Sequence, residues 1–325
     1  MPSKFNNKSV SSITFSVIFP GQGSQIVGMG KDLYSKYDII KKLFKEADEI
    51  LGFSISNIIL EGPKEKLDLT ENTQPAIFLV SYSIYETIKR ETKINLKGAK
   101  YFAGHSLGEY TALSASQSLD FDNAIKLLQA RGKAMQAAVP KGQGGMLAVL
   151  GSELSRIVEI LDKNKNKYEC FVANDNSNGQ VVLSGNLKDL DKFIEDLNKA
   201  SIKNIKLPVS APFHCKLMKP ATDIMKIKIA KTDFNNPKNL IVSNVTASET
   251  ENSNEIKDLL IKQIESPVKW RESVLYMAKN GVKKFVEIGP GKVLSGLIKR
   301  IDRNLELVSI NEVDDLEKIN LNDWF

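Results

Sequence analysis

The chain has 325 residues, of which 42% are hydrophobic and 26% charged, the balance of a globular protein long enough for one large domain or two modest ones. Its formal net charge of +6 comes from lysines spread along the chain without interleaved aromatics, a pattern that argues against nucleic acid as a partner. No apolar run approaches the roughly 20 residues of a membrane span. The polar start, Met1-Pro-Ser-Lys-Phe-Asn-Asn-Lys-Ser, lacks the apolar core of a secretory signal, so a cytoplasmic protein without a membrane partner is expected.

In chain order, residues 1–11 read as a disordered extension. Ile13 to Phe19 is an apolar strand ending at the loop Pro20-Gly-Gln-Gly-Ser-Gln25. A helix is expected over Met29–Leu51, and a second over Gln74–Lys89 with an apolar stripe through Ile77, Val80, Ile84 and Ile88. A short buried strand at Ala99–Ala103 precedes a helix of small and apolar residues at Leu107–Ser116, and a further helix covers Phe121–Val139. This alternation argues for a mainly parallel sheet covered on both faces. Pro140-Lys-Gly-Gln-Gly-Gly145 reads as a flexible hinge. After it come strand Met146–Leu150, helix Glu153–Asp162, strands Tyr168–Ala173 and Gln180–Ser184, helix Leu187–Ala200 and strand Ile202–Pro208. That β-α-β-β-α-β order is ferredoxin-like, a small subdomain at 140–208 set into a core formed by 12–139 and 209–325. The main sheet is expected to resume at Asn239–Asn244 and Lys284–Ile288, before the turn Gly289-Pro-Gly291.

The chemistry centres on Gly104-His-Ser-Leu-Gly108, the spelling of a nucleophile elbow in the strand-to-helix context that such an elbow needs. A serine hydroxyl is almost fully protonated at neutral pH and needs a base. Only two histidines are available, His105 and His214. His105 directly precedes Ser106, and successive residues leaving a strand point to opposite sides, so it reads as a packing residue. His214, in Ser210-Ala-Pro-Phe-His214 after an expected strand, is the candidate base. The backbone N–H of Leu107 would supply one oxyanion donor, and the loop Pro20-Gly21-Gln22-Gly23 is the candidate for a second. That loop is no dinucleotide fingerprint, because Ile26 occupies the third glycine's position, and Gly289-Pro-Gly-Lys292 is no phosphate loop, because Val293 stands where Ser or Thr is needed. Arg131 lies on the expected helix among Ala130, Gly132, Ala134 and Met135. It would either solvate a surface or, facing a cleft, hold a carboxylate with its fork. Asn176 and Gln180 are weaker candidates for substrate contact. Cys170 and Cys215 are too few for a disulfide framework and lie outside any metal-spaced cluster, which fits a reducing compartment.

Several motifs in register carry a resemblance. Phe19-Pro-Gly-Gln-Gly-Ser-Gln25, Thr73-Gln-Pro-Ala76, Gly104-His-Ser-Leu-Gly-Glu-Tyr110 and Gln129-Ala-Arg-Gly132 are followed by Gln180-Val-Val-Leu-Ser-Gly185 and Ser210-Ala-Pro-Phe-His214. Ser266-Pro-Val-Lys-Trp270 and Glu287-Ile-Gly-Pro-Gly-Lys-Val-Leu294 complete the set. Together they make the chain similar to the malonyl-CoA:acyl carrier protein transacylases of fatty acid synthesis, from about residue 13 to 300. The resemblance implies an α/β hydrolase-like core with a ferredoxin-like insert. It implies Ser106 as nucleophile, His214 as base, the Gln22 and Leu107 N–H groups as oxyanion hole and Arg131 as holder of the malonyl carboxylate. It also implies that the Gln263 main-chain carbonyl orients the histidine.

Phe213 resembles the residue that acyltransferase domains carry when they select malonyl over methylmalonyl units, although Pro212 departs from the usual Ala beside it. The implied partners are malonyl-CoA and acyl carrier protein, whose generally acidic surface would suit a cationic enzyme. Neither metal nor redox cofactor is expected. The rival readings are a serine hydrolase or thioesterase, which would pass the acyl group to water, and a silent scaffold that binds carrier protein without a covalent intermediate.

Overall fold

The computed structural model describes residues 14–209 and 211–321; the expected extension over 1–11, Ile13 and Ser210 lie outside the described residues. The chain begins with β1 (Phe15–Phe19), α1 (Lys31–Lys36), α2 (Asp38–Leu51), α3 (Ile55–Glu61), α4 (Lys64–Leu67) and α5 (Thr70–Glu91). It continues with β2 (Tyr101–Gly104), α6 (Gly108–Ala115) and α7 (Phe121–Ala137). Then come β3 (Gly144–Leu150), α8 (Leu154–Lys163), β4 (Cys170–Ser177), β5 (Gln180–Asn186), α9 (Leu187–Lys199) and β6 (Lys203–Lys206). The last part holds α10 (Lys219–Ala230), β7 (Leu240–Val242), β8 (Glu249–Thr250), α11 (Ser253–Gln263), α12 (Trp270–Lys279), β9 (Lys284–Ile288), α13 (Val293–Ile301), β10 (Glu306–Ile310) and α14 (Val313–Leu321).

The larger sheet has the order β10-β9-β1-β2-β7-β8. Its pairings are parallel except for β7 with β8. All five residues of β1 and of β9 are buried, as expected of strands covered on both faces. The side-chain period of two divides them. Val17, Phe19, Phe102 and Val286 join the core built with α5, α6 and α7, whereas Ile18, Tyr101, Ala103 and Phe285 join the core built with α12 and α13. Each large apolar side chain so buried contributes about 1.5–3 kcal/mol.

The smaller sheet is antiparallel with the order β4-β5-β3-β6. One face, through Leu147, Val149, Val181 and Leu183, packs on α8 and α9 by way of Ile157, Leu190, Phe193 and Leu197. The opposite face turns Met146, Ala148 and Val182 toward a cavity at the end of the larger sheet. The glycines read as a hinge are largely part of this sheet: Gly144 and Gly145 lie in β3. A Cβ on Gly144 would sit 2.3 Å from the Pro212 ring, so this glycine marks close approach between segments. The smaller sheet is also tied to the body at β4. Asp175 N–H donates to the Val268 carbonyl (3.0 Å), Val268 N–H donates to Ala173 (2.8 Å), and the Arg271 Nε–H donates to the buried Asp175 carboxylate at 2.9 Å.

Two helix expectations need correction. The single helix over Met29–Leu51 is broken at Tyr37, whose backbone is extended (φ −113°, ψ 120°). The helix expected from Gln74 starts one turn earlier, with Pro75 inside it. Proline removes only one helical donor, and the early turn is held by Thr73 Oγ1 donating to the Leu67 carbonyl (2.6 Å) and Asn72 Nδ2 donating to Lys66 (2.8 Å). Both cysteines are free, and burial pushes their thiols up, to about 12 for Cys170 and about 11 for Cys215.

Candidate active site

Strand β2 delivers the chain to the mouth of the cavity, where it turns sharply into α6. Ser106 sits at the turn with φ 54°, a left-handed backbone that costs a non-glycine residue on the order of 1–3 kcal/mol. A Cβ on Gly104 would lie 2.0 Å from the Gly108 carbonyl oxygen, and one on Gly108 would lie 2.3 Å from the Phe19 carbonyl oxygen. Glycine at both places therefore lets β1, β2 and α6 meet. The Ser106 hydroxyl, aimed out of this turn, is 2.8 Å from His214 Nε2.

His214 is buried and also left-handed (φ 59°). Its Nδ1 lies 2.9 Å from the Gln263 carbonyl. A carbonyl only accepts, so Nδ1 carries the proton and Nε2 is free to take one from Ser106. Burial lowers the imidazole pKa to about 3, with the Arg131 charge adding to the effect and the Gln263 bond opposing it. The ring is thus held neutral.

Arg131 enters from α7 and is 1% exposed. Nη1 donates to Gln74 Oε1 (2.8 Å), and Nη2 donates to Gln263 Oε1 (2.8 Å) and Ser106 Oγ (3.2 Å). The guanidinium lies over the Tyr110 ring at 5.7 Å, and Nε has no partner among the described residues. All three direct acceptors are neutral. Burial accordingly pulls Arg131 below its ordinary pKa, countered by Tyr110 and by Glu109. A buried cation with neutral ligands, beside a serine hydroxyl, is a ready site for an anion.

Gln22, Ser106, Leu107, Arg131, Phe213 and His214 line one cavity of about 290 Å³. Among the described residues, neither the Gln22 N–H nor the Leu107 N–H donates a hydrogen bond, which leaves two amides at the cavity wall for an incoming oxygen. Asn176 and Gln180 also line it, but Asn176 Oδ1 is 2.8 Å from His105 Nε2 and Gln180 Oε1 accepts from Arg300 (2.8 Å). His105 is half-buried, tilted against Trp270 at 5.8 Å, and engaged with Asn176, away from Ser106.

Three groups escaped the sequence reading. The Gln263 side chain bonds Arg131, and its Nε2 donates to the Ser106 carbonyl (3.1 Å) and to Glu109 Oε2 (2.8 Å). Glu109 is buried, and desolvation raises it to about 7 although Asn244 and Gln263 favour its charge. Asn244 accepts from the Ser106 N–H at 2.7 Å. The only signal in the sequence for Glu109 was its place one residue after the elbow glycine. The partners of Asn244 and Gln263 lie 138 and 157 residues away, a distance that no local pattern spans.

A strained serine turn on a parallel sheet, bonded to a histidine that a main-chain carbonyl orients and covered by an antiparallel sheet, is an arrangement that suits an acyltransferase of α/β type. Residues 16–315 match the acyl transferase domain family, and the chain belongs to it. Within it the chain groups with malonyl CoA-acyl carrier protein transacylases. The one from Bacillus subtilis is 41% identical over 310 residues, 95% of this chain and 96% of that protein. The structure of the one from Coxiella burnetii superposes with a TM-score of 0.91 at 36% identity, covering 95% and 97% of the two chains. A malonyl-transacylase in complex with its type II PKS acyl-carrier protein gives a TM-score of 0.91 at 35% identity, covering 95% and 100%. Among the described residues, no helix is long and apolar enough to cross a membrane.

Proposed function

We propose that this chain transfers the malonyl group of malonyl-CoA to the phosphopantetheine thiol of an acyl carrier protein, through a malonyl-serine on Ser106. The observation that carries the reading is the buried Arg131 guanidinium, 3.2 Å from the Ser106 hydroxyl and met only by neutral acceptors. A malonyl carboxylate pairs with it while the thioester carbonyl lies against Ser106. An acetyl group would leave the cation unpaired, and a site built for a polar group can reject the analogue lacking it by about 10⁴–10⁵.

Ser106 gives its proton to His214 Nε2 as Oγ bonds to the thioester carbon. The carbonyl oxygen becomes an oxyanion received by the Gln22 and Leu107 amides, each such donor being worth about 10²–10³ in rate. The C–S bond then breaks and His214 returns the proton to the departing CoA sulfur. In the second half the carrier thiol gives its proton to His214, its sulfur attacks the malonyl-serine carbonyl, and Ser106 recovers its hydrogen. The Gln263 carbonyl holds the imidazole in the tautomer that both halves need. Arg131 also depresses the basicity of His214, so a carboxylate bound on Arg131 strengthens the base as it positions the substrate. Phe213 narrows the cavity beside His214 and fits selection against a branched acyl unit.

The carrier reading is supported by α13. Lys292 at its N-cap, Val293, Gly296, Lys299 and Arg300 of its solvent face, and Arg303 beyond it are exposed. Among the described residues, none of these four cations forms an ion pair. Val293, Leu294 and Leu297 of the same helix line the cavity, so this cationic face runs from its mouth. It suits an acidic partner. The proposal includes a cytoplasmic site of action, supported by two free cysteines, and a division into a core of 12–139 and 209–325 with a subdomain of 140–208.

Intact mass after brief exposure to malonyl-CoA, followed by pantetheinylated carrier, tests the reading. The expected result is a malonyl adduct on Ser106 that moves to the carrier thiol, is absent in Ser106→Ala, and gives way in Arg131→Ala to a preference for uncharged acyl groups. An adduct that decays into water equally fast with and without carrier would make the protein a hydrolase.

A further inference from the structure

We infer that Asn244 is a positioning residue, whose carboxamide clasps both ends of the Ser106 turn and holds the nucleophile toward its base. The inference rests on Ser106 being the nucleophile, as proposed above. The turn is strained at Ser106 (φ 54°), and any relaxation of that backbone would swing the hydroxyl away from His214 Nε2 and from Arg131. Asn244 lies two residues past β7, the strand that pairs with β2, so it reaches the elbow from the side. Its Oδ1 accepts the Ser106 N–H at 2.7 Å, and its Nδ2 donates to the Gly104 carbonyl at 2.7 Å.

The clasp is itself fixed. Asn244 is fully buried; its backbone N–H donates to Glu109 Oε2 (3.1 Å) and its carbonyl accepts from Lys269 (3.0 Å). Gln263 Nε2 closes the remaining side on the Ser106 carbonyl. The geometry demands one acceptor and one donor at fixed spacing, which a carboxamide has and a carboxylate lacks. Removing one partner of such a buried pair leaves the other buried and unsatisfied, a penalty comparable with the strain the pair restrains.

The test exploits the near-identical shapes of Asn, Asp⁻ and protonated Asp. In Asn244→Asp at pH 7.5 a carboxylate faces the Gly104 carbonyl; at pH 5 the protonated acid can both accept from Ser106 and donate to Gly104. Single-turnover acylation of Ser106 by malonyl-CoA is measured for this variant, for Asn244→Leu and for the wild type across that range. Glu109, Arg131, His214 and His105 surround the elbow in all three proteins; the ratio to wild type removes the titrations they share with it, and Asn244→Leu, which adds no carboxyl, is the control for loss of the side chain without a new charge beside Glu109. The expected result is a deficit of at least tenfold for N244D at pH 7.5, with KM for malonyl-CoA within threefold of wild type. That deficit shrinks at least threefold by pH 5, while the deficit of N244L does not shrink. A deficit under tenfold, or one that does not recover on acidification, overturns the assignment. If N244D is unfolded at pH 7.5, the pH 5 rate decides alone: within tenfold of wild type supports the clasp, and anything slower overturns it. A wild type that forms no malonyl-serine would instead remove the underlying function and this inference with it.

Discussion

At the scale of single residues, the site depends on keeping His214 neutral beside a permanent cation. Burial and Arg131 both oppose the imidazolium, so the folded pKa of about 3 lies far below the ordinary 6.5. The sign follows directly: below pH 6.5 an unfolded chain takes up a proton here that the folded chain refuses. This group alone therefore withdraws about 1.4 kcal/mol of stability per pH unit as pH falls from 6.5 toward 3. The chain has only two histidines, which makes the prediction simple to read by NMR of ring-labelled protein. Between pH 7.5 and 5 the His214 ring signals should stay those of the Nδ1–H tautomer; a midpoint near 6.5 would contradict the buried, carbonyl-bound geometry. Strand alternation separated the two histidines in the sequence, and in the structure it is His214, not His105, that lies 2.8 Å from the Ser106 hydroxyl. The Gln263 carbonyl, 2.9 Å from His214 Nδ1, could be named only through the resemblance, since a main-chain carbonyl leaves no trace in residue type.

At the scale of elements, Ser106 and His214 lie on loops while Arg131 and Gln263 come from helices α7 and α11, and glycines set how closely these segments approach. Gly144 opens β3 against Pro212, two residues before His214. An added methyl there would press on the ring at 2.3 Å. In Gly144→Ala either β3 or the 212–214 loop must shift, and a shift of 1 Å at a base can cost on the order of 10²-fold. The expected outcome is a tenfold or larger fall in malonyl-serine formation, with melting lowered by only a few degrees. A wild-type rate would show that the loop tolerates the displacement. Of the stretch Pro140–Gly145 that reads as a hinge, Gly144 and Gly145 are packed in β3, because glycine has the same spelling for flexibility and for close packing; only the partner segment, 68 residues beyond Gly144, separates the two. The break at Tyr37 was hidden for a related reason, as an unbroken apolar period runs across it.

At the scale of the whole molecule, the two sheets enclose the cavity between a catalytic wall and an apolar one, and α13 leads from its mouth with a cationic face. If that face receives the carrier, Lys299→Glu with Arg303→Glu should raise KM for carrier protein at least tenfold and more than it raises KM for malonyl-CoA, most strongly at low salt. Steady-state kinetics with each substrate varied in turn would check this, and equal effects on both would move the docking face elsewhere. The sequence by itself determined the elbow, the strand–helix alternation and the β-α-β-β-α-β insert, because each is a local pattern of period, glycine spacing and turn chemistry. It also determined the family resemblance, since those motifs stand in a fixed order. The tertiary structure alone decided that Arg131 faces the serine with neutral ligands, that the Gln22 and Leu107 amides at one cavity donate to none of the described residues, and that Asn244, Glu109 and Gln263 close a buried polar net around the elbow. Those facts depend on hydrogen bonds between residues up to 157 positions apart, fixed by sheet order and by the cost of leaving buried polar groups unpaired.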